Sequence, residues 1–396
     1  MSNRSRQAKA TRRASRASQS RQVAAPPTAA LIAAGLLTAF VLAYLLLLFM
    51  APCVLPPFLS FGVGRCGPQP STQGRISFVR SNQGSTPNLF VVNPDGSNQQ
   101  QLTHDIYIDQ TAWSPDGKYI AAQGRLNDVA AILRIEVGPD NRAVEILKLT
   151  AEDTAESVLP AWSPNGTEIA FQSKRGGGDW QIHVMKPDGS DKRMVTDGKG
   201  LAKHPAWSPD GKSIAYVLSD GTSSASEIYV VPVAGGAATK VTGNGSVKLN
   251  PAWTNDGKSI VFLQGTGDRD RAIAIVPAEG GEPRNITDPG AIGGVQLSPT
   301  EPKLAFYRVL TESEGTDIYT VSLDGGTPVV ATPFNPDDYF PAWSPDGKRL
   351  TWASSRPATG GQEYKVVVGN PDGTDSKVIS TGPGSDYQPQ WAAPAK

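Results

Sequence analysis

The sequence predicts an all-β fold: a seven-bladed β-propeller of four-stranded blades, preceded by a single transmembrane helix. Two observations carry this prediction. A sequence unit recurs seven times at intervals of 44 to 49 residues, and an uncharged apolar run of 23 residues precedes the first unit. The chain also contains 41 Gly and 33 Pro among its 396 residues, an excess over average usage that is typical of a protein with many turns.

The N-terminal tail, residues 1–28, is basic. Residues 1–22 carry seven Lys or Arg and no acidic residue, whereas the whole chain has 37 basic and 37 acidic residues. The rest of the chain is therefore acidic, and the zero net charge averages two different segments. Because the tail directly precedes an apolar run, we interpret it as a topology signal that contacts membrane lipid, and we predict no nucleic-acid partner.

Residues 29–51 predict the transmembrane helix. The run AALIAAGLLTAFVLAYLLLLFMA has no charge and no Pro. A helix of this length would span about 35 Å at roughly 1.5 Å per residue, which exceeds the ~30 Å hydrocarbon core of a bilayer. A cleaved signal peptide would have a shorter apolar region of roughly 7–15 residues. Since basic residues precede the run, we predict a single-pass membrane protein with a cytoplasmic N-terminus and an extracytoplasmic body.

Residues 52–74 predict a stalk between the membrane and the body. This segment contains five Pro and four Gly, a composition that favours an extended linker. Both cysteines of the chain, Cys53 and Cys66, lie in it. An internal disulfide, a disulfide to a second copy and two free thiols all remain open.

Residues 75–396 contain the repeat and predict the propeller. Ala-Trp-Ser-Pro-Asp-Gly-Lys occurs at 112–118, 206–212 and 342–348, with variants in the other units. Apolar runs such as IAF and IYVV follow each copy, and a short run ending in Thr or Ser completes each unit. Four short strands separated by Gly/Pro turns predict one propeller blade per unit. In Ser-Pro-Asp-Gly, Pro fixes the second position of a type I turn and Gly closes it.

The ends of the repeat predict how the ring closes. The first unit lacks its own innermost strand, and the last unit stops just after Trp391. We predict that a C-terminal strand around Pro389–Trp391 pairs with Ile76–Val79, which completes a seventh blade and removes two exposed sheet edges. The recurring Trp predicts a core wedge between blades. The fifth unit has Leu297 in its place and lacks the turn Gly, so this blade is either a weak point or a gap used for binding.

The pattern PAWSPDGKxIAF…IYVV…LT closely resembles the repeats of the TolB-like propellers, a WD-repeat-like group common in bacterial envelope proteins. The resemblance covers nearly the whole of residues 75–396. It implies the propeller fold strongly and function only broadly, since the family includes protein-binding scaffolds, lyases and protease gating domains.

The candidate binding residues lie in the connections from each outer strand to the next innermost strand and just before each Pro-Ala-Trp motif. These connections carry ten acidic residues, which predicts an acidic collar that attracts a basic partner or cations, unless the acids are only solvated loop charges. Seven diverse residues directly precede the Pro-Ala-Trp-like motifs and are predicted to ring the channel entrance: Gln110, Leu159, His204, Asn250, Gly294, Phe340 and Gln388. The candidate partner-binding residues are Asp109, Glu156, His204, Asn250, Asp337, Asp338, Tyr339, Phe340, Asp386 and Tyr387.

These observations favour a non-catalytic, membrane-anchored propeller that binds a protein or peptide in the cell envelope. Neither a catalytic residue nor a metal or cofactor site is predicted, since the sequence has no nucleophile elbow and no phosphate-binding loop. The alternative is a metal-dependent carbohydrate lyase or hydrolase at the channel mouth. It depends on only two His of the loop connections, His104 and His204, which lie two blades apart.

Overall fold

The computed structural model describes residues 74–394, with gaps at 83, 151–154, 176–177, 222–224, 311–314, 333–336 and 356–362. The predicted basic tail, the transmembrane helix 29–51 and all of the stalk except Gly74 lie outside the described residues, as do both cysteines. Within the described ranges, no helix is long and apolar enough to cross a membrane.

The described residues form seven four-stranded antiparallel sheets, which confirms the predicted propeller. In order of blades 1 to 7, the inner strands are β4 (Tyr107–Trp113), β8 (Ser157–Trp162), β12 (Leu201–Trp207), β16 (Val247–Trp253), β20 (Ala291–Leu297), β24 (Asp338–Trp343) and β28 (Ser385–Ala392). The second strands are β5 (Tyr119–Leu126), β9 (Ile169–Ser173), β13 (Ser213–Ser219), β17 (Ser259–Gly265), β21 (Lys303–Val309), β25 (Leu350–Ser354) and β1 (Arg75–Ser81).

The outer strands are the shortest, with two residues in every blade except blade 1. In the same order, the third strands are β6 (Val129–Val137), β10 (Gln181–Met185), β14 (Glu227–Pro232), β18 (Ala272–Pro277), β22 (Thr316–Ser322), β26 (Lys365–Gly369) and β2 (Asn88–Val92). The outer strands are β7 (Ala143–Lys148), β11 (Arg193–Met194), β15 (Thr239–Lys240), β19 (Arg284–Asn285), β23 (Val329–Val330), β27 (Lys377–Val378) and β3 (Gln100–Gln101). A Thr or Ser after each outer strand accepts a hydrogen bond from a third-strand backbone N–H, as Thr150 Oγ1 does from Ile132 at 2.8 Å.

This strand order gives the propeller two different faces. The turn face carries the inner-to-second and third-to-outer connections, and the loop face carries the second-to-third connections and those from each outer strand to the next blade. On the turn face, the repeated motif forms the predicted turn. In blade 1 the Gly117 N–H donates to the Ser114 carbonyl at 2.9 Å, and Ser114 Oγ donates to Asp116 Oδ1 at 2.6 Å.

The recurring Trp residues join neighbouring blades. The Trp207 indole N–H donates to the Ala161 carbonyl of the preceding blade at 3.0 Å, and Trp162 donates to Ala112 in the same way at 3.1 Å. Trp253 and Trp343 repeat this bond. The predicted wedge therefore also supplies one hydrogen bond at each of these blade boundaries.

We expect Trp207→Phe to lower the free energy of unfolding by about 1 kcal/mol, because the ring remains packed and one hydrogen bond is lost. Trp207→Ala should cost about 3–5 kcal/mol, since Trp207 is only 9% exposed and its removal leaves a cavity. Urea denaturation of both variants measures the difference. Equal costs for the two substitutions would show that the indole hydrogen bond, and not packing, dominates.

The ring closes as predicted from the sequence. Strand β28 pairs with β1, with Trp391 opposite Ile76 and Gln390 opposite Ser77. Across this pairing, Arg80 Nε and Nη2 donate to the two carboxylate oxygens of Asp386 at 2.5 and 2.8 Å. Burial raises the pKa of the Asp386 carboxyl, and the two bonds from Arg80 oppose that rise. A buried, bidentate ion pair thus joins the first and last strands of the propeller.

Candidate functional site

The predicted acidic collar is only partly present. Asp386 was predicted to face a partner, but it is 0% exposed and paired with Arg80. Asp338 is also 0% exposed. Both acids lie on inner strands, where alternate side chains point between blades rather than into solvent. Neither carboxylate is therefore presented to solvent, and a role of these two residues in partner binding stays a prediction.

The other predicted acids remain on the loop face. Glu156 forms an exposed ion pair with Lys174 at 2.7 Å. The half-buried Asp109 accepts a hydrogen bond from Gln123 Nε2 at 3.3 Å, and Asp337 is half-buried next to β24. Fewer acidic side chains are thus available to a ligand than the number of acidic residues in these connections indicates.

A β-bulge interrupts every inner strand at the predicted channel entrance. In blade 6, for example, Phe340 and Pro341 together face the single residue Trp352. Six of the seven residues that precede the Pro-Ala-Trp-like motifs have left-handed backbone: Leu159, His204, Asn250, Gly294, Phe340 and Gln388, with φ between 50° and 60°. Since a bulge re-aims side chains and innermost strands surround the axis, these residues vary the channel lining without changing the framework.

The most distinctive feature of the loop face is a continuous row of aromatic rings across blades 5, 6 and 7. Successive ring centroids lie 5.1 to 6.0 Å apart, mostly edge-on or tilted. All five rings are half-buried. We name this row the aromatic arc; its members are Tyr307, Tyr339, Phe340, Tyr364 and Tyr387.

Three of the five arc residues, Tyr339, Phe340 and Tyr387, were predicted from the sequence, whereas Tyr307 and Tyr364 were missed. Tyr307 lies on the second strand of the degenerate fifth blade, directly opposite Gly293. A Cβ atom at Gly293 would overlap the Tyr307 hydroxyl, and one at Gly294 would lie 2.8 Å from the Tyr307 ring. The paired glycines therefore make room for this ring, and their presence in blade 5 was the available signal.

The surroundings of the arc are polar and partly negative. Thr316 Oγ1 donates to the Tyr339 hydroxyl at 2.9 Å. Burial and the nearby Asp337 carboxylate raise the pKa of Tyr364 to about 12, so its hydroxyl remains a hydrogen-bond donor at physiological pH. Burial and Asp337 also raise the pKa of the Asp317 carboxyl. The arc thus combines apolar ring faces with hydroxyl groups, as in many protein-binding surfaces.

The candidate histidines do not form a metal centre. His104 is exposed, whereas burial and Lys203 lower the pKa of His204 to about 4, so the His204 ring is neutral at physiological pH. The backbone N–H of His204, not its ring, donates to Gln172 Oε1 at 3.1 Å. Within the described ranges, no three His, Cys, Asp or Glu side chains are grouped so that they could hold a metal ion.

These features define the chain as a seven-bladed β-propeller with an aromatic candidate site at one mouth of its channel. The model of the TolB β-propeller domain family matches residues 67–325, and the chain belongs to this family. No curated protein matches the chain.

Several solved structures share the fold. Over 81% of this chain and 66% of that one, it is similar to TolB from Acinetobacter baumannii, with 19% identity and a TM-score of 0.50. A puromycin hydrolase matches 81% of this chain and 54% of its own, with 16% identity and a TM-score of 0.62. An oligogalacturonate lyase in complex with manganese matches 78% of this chain and 85% of its own, with 11% identity and a TM-score of 0.57. At these identities the similarity concerns the fold.

Proposed function

We propose that the protein is a membrane-anchored, extracytoplasmic propeller that acts as a non-catalytic scaffold in the cell envelope, and that it binds a protein or peptide on its aromatic arc. The observation that carries this proposal is the arc itself, five half-buried rings in contact across three blades. The anchor and the orientation rest on residues 29–51 and on the basic residues that precede them.

The physical basis for binding is the exposed part of the rings. Aromatic side chains dominate the energetics of protein interfaces, and Tyr adds a hydroxyl that can bond to a peptide backbone. A row of rings on a rigid sheet framework loses little conformational entropy when a ligand covers it. The arc also crosses blade boundaries, so a ligand of several residues can contact more than one ring.

The alternative, a metal-dependent carbohydrate lyase or hydrolase, is favoured by no specific observation in the chain. The two histidines that could coordinate its metal lie in different environments. His104 is exposed, whereas His204 is largely buried and lies on an inner strand. The bound manganese belongs to the oligogalacturonate lyase, whose sequence is 11% identical to that of this chain.

Site-specific photocrosslinking in cells tests this proposal. We expect p-benzoylphenylalanine in place of Tyr364 to form one main adduct with a partner, because Tyr364 lies between Tyr339 and Tyr387 in the arc. The matched control is Tyr119, a half-buried tyrosine that begins β5 on the turn face and stacks on Trp162 at 6.3 Å. Adducts at position 119 should be at least about tenfold fewer. Equal yields of the same adduct at both positions would contradict the proposal.

A further inference from the structure

A crevice of about 670 Å³ opens on the loop face between blades 4 and 5. One wall is the second-to-third connection of blade 4, and the other is formed by the start of β20 and the end of β21. The backbone of Arg271 bridges to Gly290 through two hydrogen bonds of 2.9 Å, which fixes the two walls relative to each other. Three arginines line this arginine crevice: Arg269, Arg271 and Arg308.

Of these three arginines, one forms an ion pair within the described part of the chain. Arg271 forms an ion pair with Asp268. The Asp270 carboxylate is turned into its own loop, where it accepts hydrogen bonds from the backbone N–H groups of Thr266 and Gly267. Asp270 is therefore already satisfied within blade 4.

The other two arginines have no carboxylate partner among the described residues. Arg308 Nη2 donates to the Asp288 carbonyl at 3.1 Å, which orients its guanidinium group at the crevice wall. Arg308 Nε is buried and has no acceptor within the described part of the chain. Arg269 is exposed at the mouth of the crevice. Two guanidinium groups with unused donors are well suited to a carboxylate, which can accept two parallel hydrogen bonds.

Tyr307 connects this crevice to the aromatic arc. Its side chain lines the crevice and also contacts Tyr339, with ring centroids 5.1 Å apart. The ring occupies this position because Gly293 and Gly294 stand where blade 6 has Tyr339 and Phe340. The degenerate fifth blade thus produces a site in which an apolar surface and an arginine pair are adjacent.

We propose that the arginine crevice binds an acidic side chain of the peptide segment whose apolar side chains cover the aromatic arc. The inference rests on the proposed function and adds the charge of the ligand. The acidic loops led us to expect a basic partner. The crevice instead favours a peptide segment that has both acidic and aromatic or aliphatic residues. Asp317 lies opposite Arg308 in the register of β22 with β21, but the two side chains form no ion pair, and neither Asp317 nor Asp337 lines the crevice.

Binding of three fluorescein-labelled octapeptides to the full-length chain in nanodiscs tests the inference. The probes alternate Phe with Asp, with Asn or with Lys, and empty nanodiscs serve as the blank. We expect the Asp–Phe peptide to bind at least about tenfold more tightly than the Asn–Phe peptide, because the two arginines gain charge-assisted hydrogen bonds only with the carboxylates. The Lys–Phe peptide should bind most weakly.

Substitutions of the crevice arginines test whether this selectivity comes from the crevice. Arg269→Gln, at an exposed position, should lower the preference for Asp–Phe several-fold, and the double variant with Arg308→Gln should abolish it. Arg308 also lies 5.9 Å from the Phe306 ring, so Arg308→Lys serves as a variant that keeps the charge. Arg142→Gln, on the turn face and 72% exposed, is the matched control and should leave the preference unchanged.

The outcomes separate this inference from the proposed function. If Tyr339→Ala weakens all three peptides while Asp–Phe and Asn–Phe bind equally, the arginine crevice is not a carboxylate site and the arc remains the binding surface. A preference for Lys–Phe, or a preference for Asp–Phe that survives the double arginine variant, also overturns the inference. If Tyr339→Ala leaves every affinity unchanged, the proposed function itself fails.

Discussion

Replacement of Asp386 by Ala should lower the free energy of unfolding by about 3–5 kcal/mol. The substitution leaves the Arg80 guanidinium, which is 6% exposed, without its carboxylate. Arg80 would keep only its hydrogen bond to the Thr381 carbonyl at 2.7 Å. A buried charge without a partner is costly. Because this pair joins β1 to β28, the substitution should destabilise the pairing that closes the ring.

A double variant distinguishes the pair from ordinary packing. Arg80→Met with Asp386→Leu removes both charges together and should recover most of the lost stability, because neither buried charge of the pair is left without its partner. The matched control is Glu156→Gln, which breaks the exposed pair with Lys174 and should cost less than about 1 kcal/mol. Urea denaturation of the full-length chain measures all three variants. A cost below about 1 kcal/mol for Asp386→Ala would contradict the assignment of a closing ion pair.

Phe340→Gly should lower partner crosslinking from position 364 at least about tenfold while changing stability by no more than about 1 kcal/mol. Phe340 has left-handed backbone with φ of 56°, which costs an L-residue roughly 1–2 kcal/mol and costs Gly almost nothing. This gain offsets the loss of the half-buried ring. The binding surface, however, loses the ring that contacts both Tyr307 and Tyr339.

The same change in another blade is the control. Leu159 has φ of 52° at the equivalent bulge of blade 2, which does not contribute to the aromatic arc. Leu159→Gly should therefore have a similar effect on stability and no effect on crosslinking. If Phe340→Gly retains full crosslinking, or if Leu159→Gly abolishes it equally, the ring at position 340 does not contribute to binding.

Much of the fold could be predicted from the sequence because the repeat is regular. The spacing of the Trp residues predicted seven blades, and the incomplete first and last units predicted the pairing of Ile76–Val79 with the C-terminal strand. The blades follow from local turn motifs and alternating strand patterns, and the long-range closure follows from the strand that the first unit lacks. The membrane anchor and its orientation stay predictions, because residues 29–51 lie outside the described residues.

The candidate site was less predictable because it depends on contacts between blades. Asp386 and Asp338 read as loop acids in the sequence, and only the strand register shows that they are buried. Tyr307 occupies a second-strand position where other blades have residues such as Val217 and Ala353, so it resembles a core residue. Its role in the arc follows from the absence of a side chain at Gly293, on the neighbouring strand.

Hydroxyl-radical footprinting of the full-length chain with its crosslinked partner tests whether the partner covers the aromatic arc, because it measures the exposure of individual aromatic side chains. We expect partner binding to slow oxidation of the arc residues several-fold, with Tyr364 and Phe340 the most protected. Oxidation of Tyr119 and Trp162, on the turn face, should not change. Protection of Tyr119 and Trp162 with unchanged oxidation of the arc would show that the partner binds on the turn face and not on the arc.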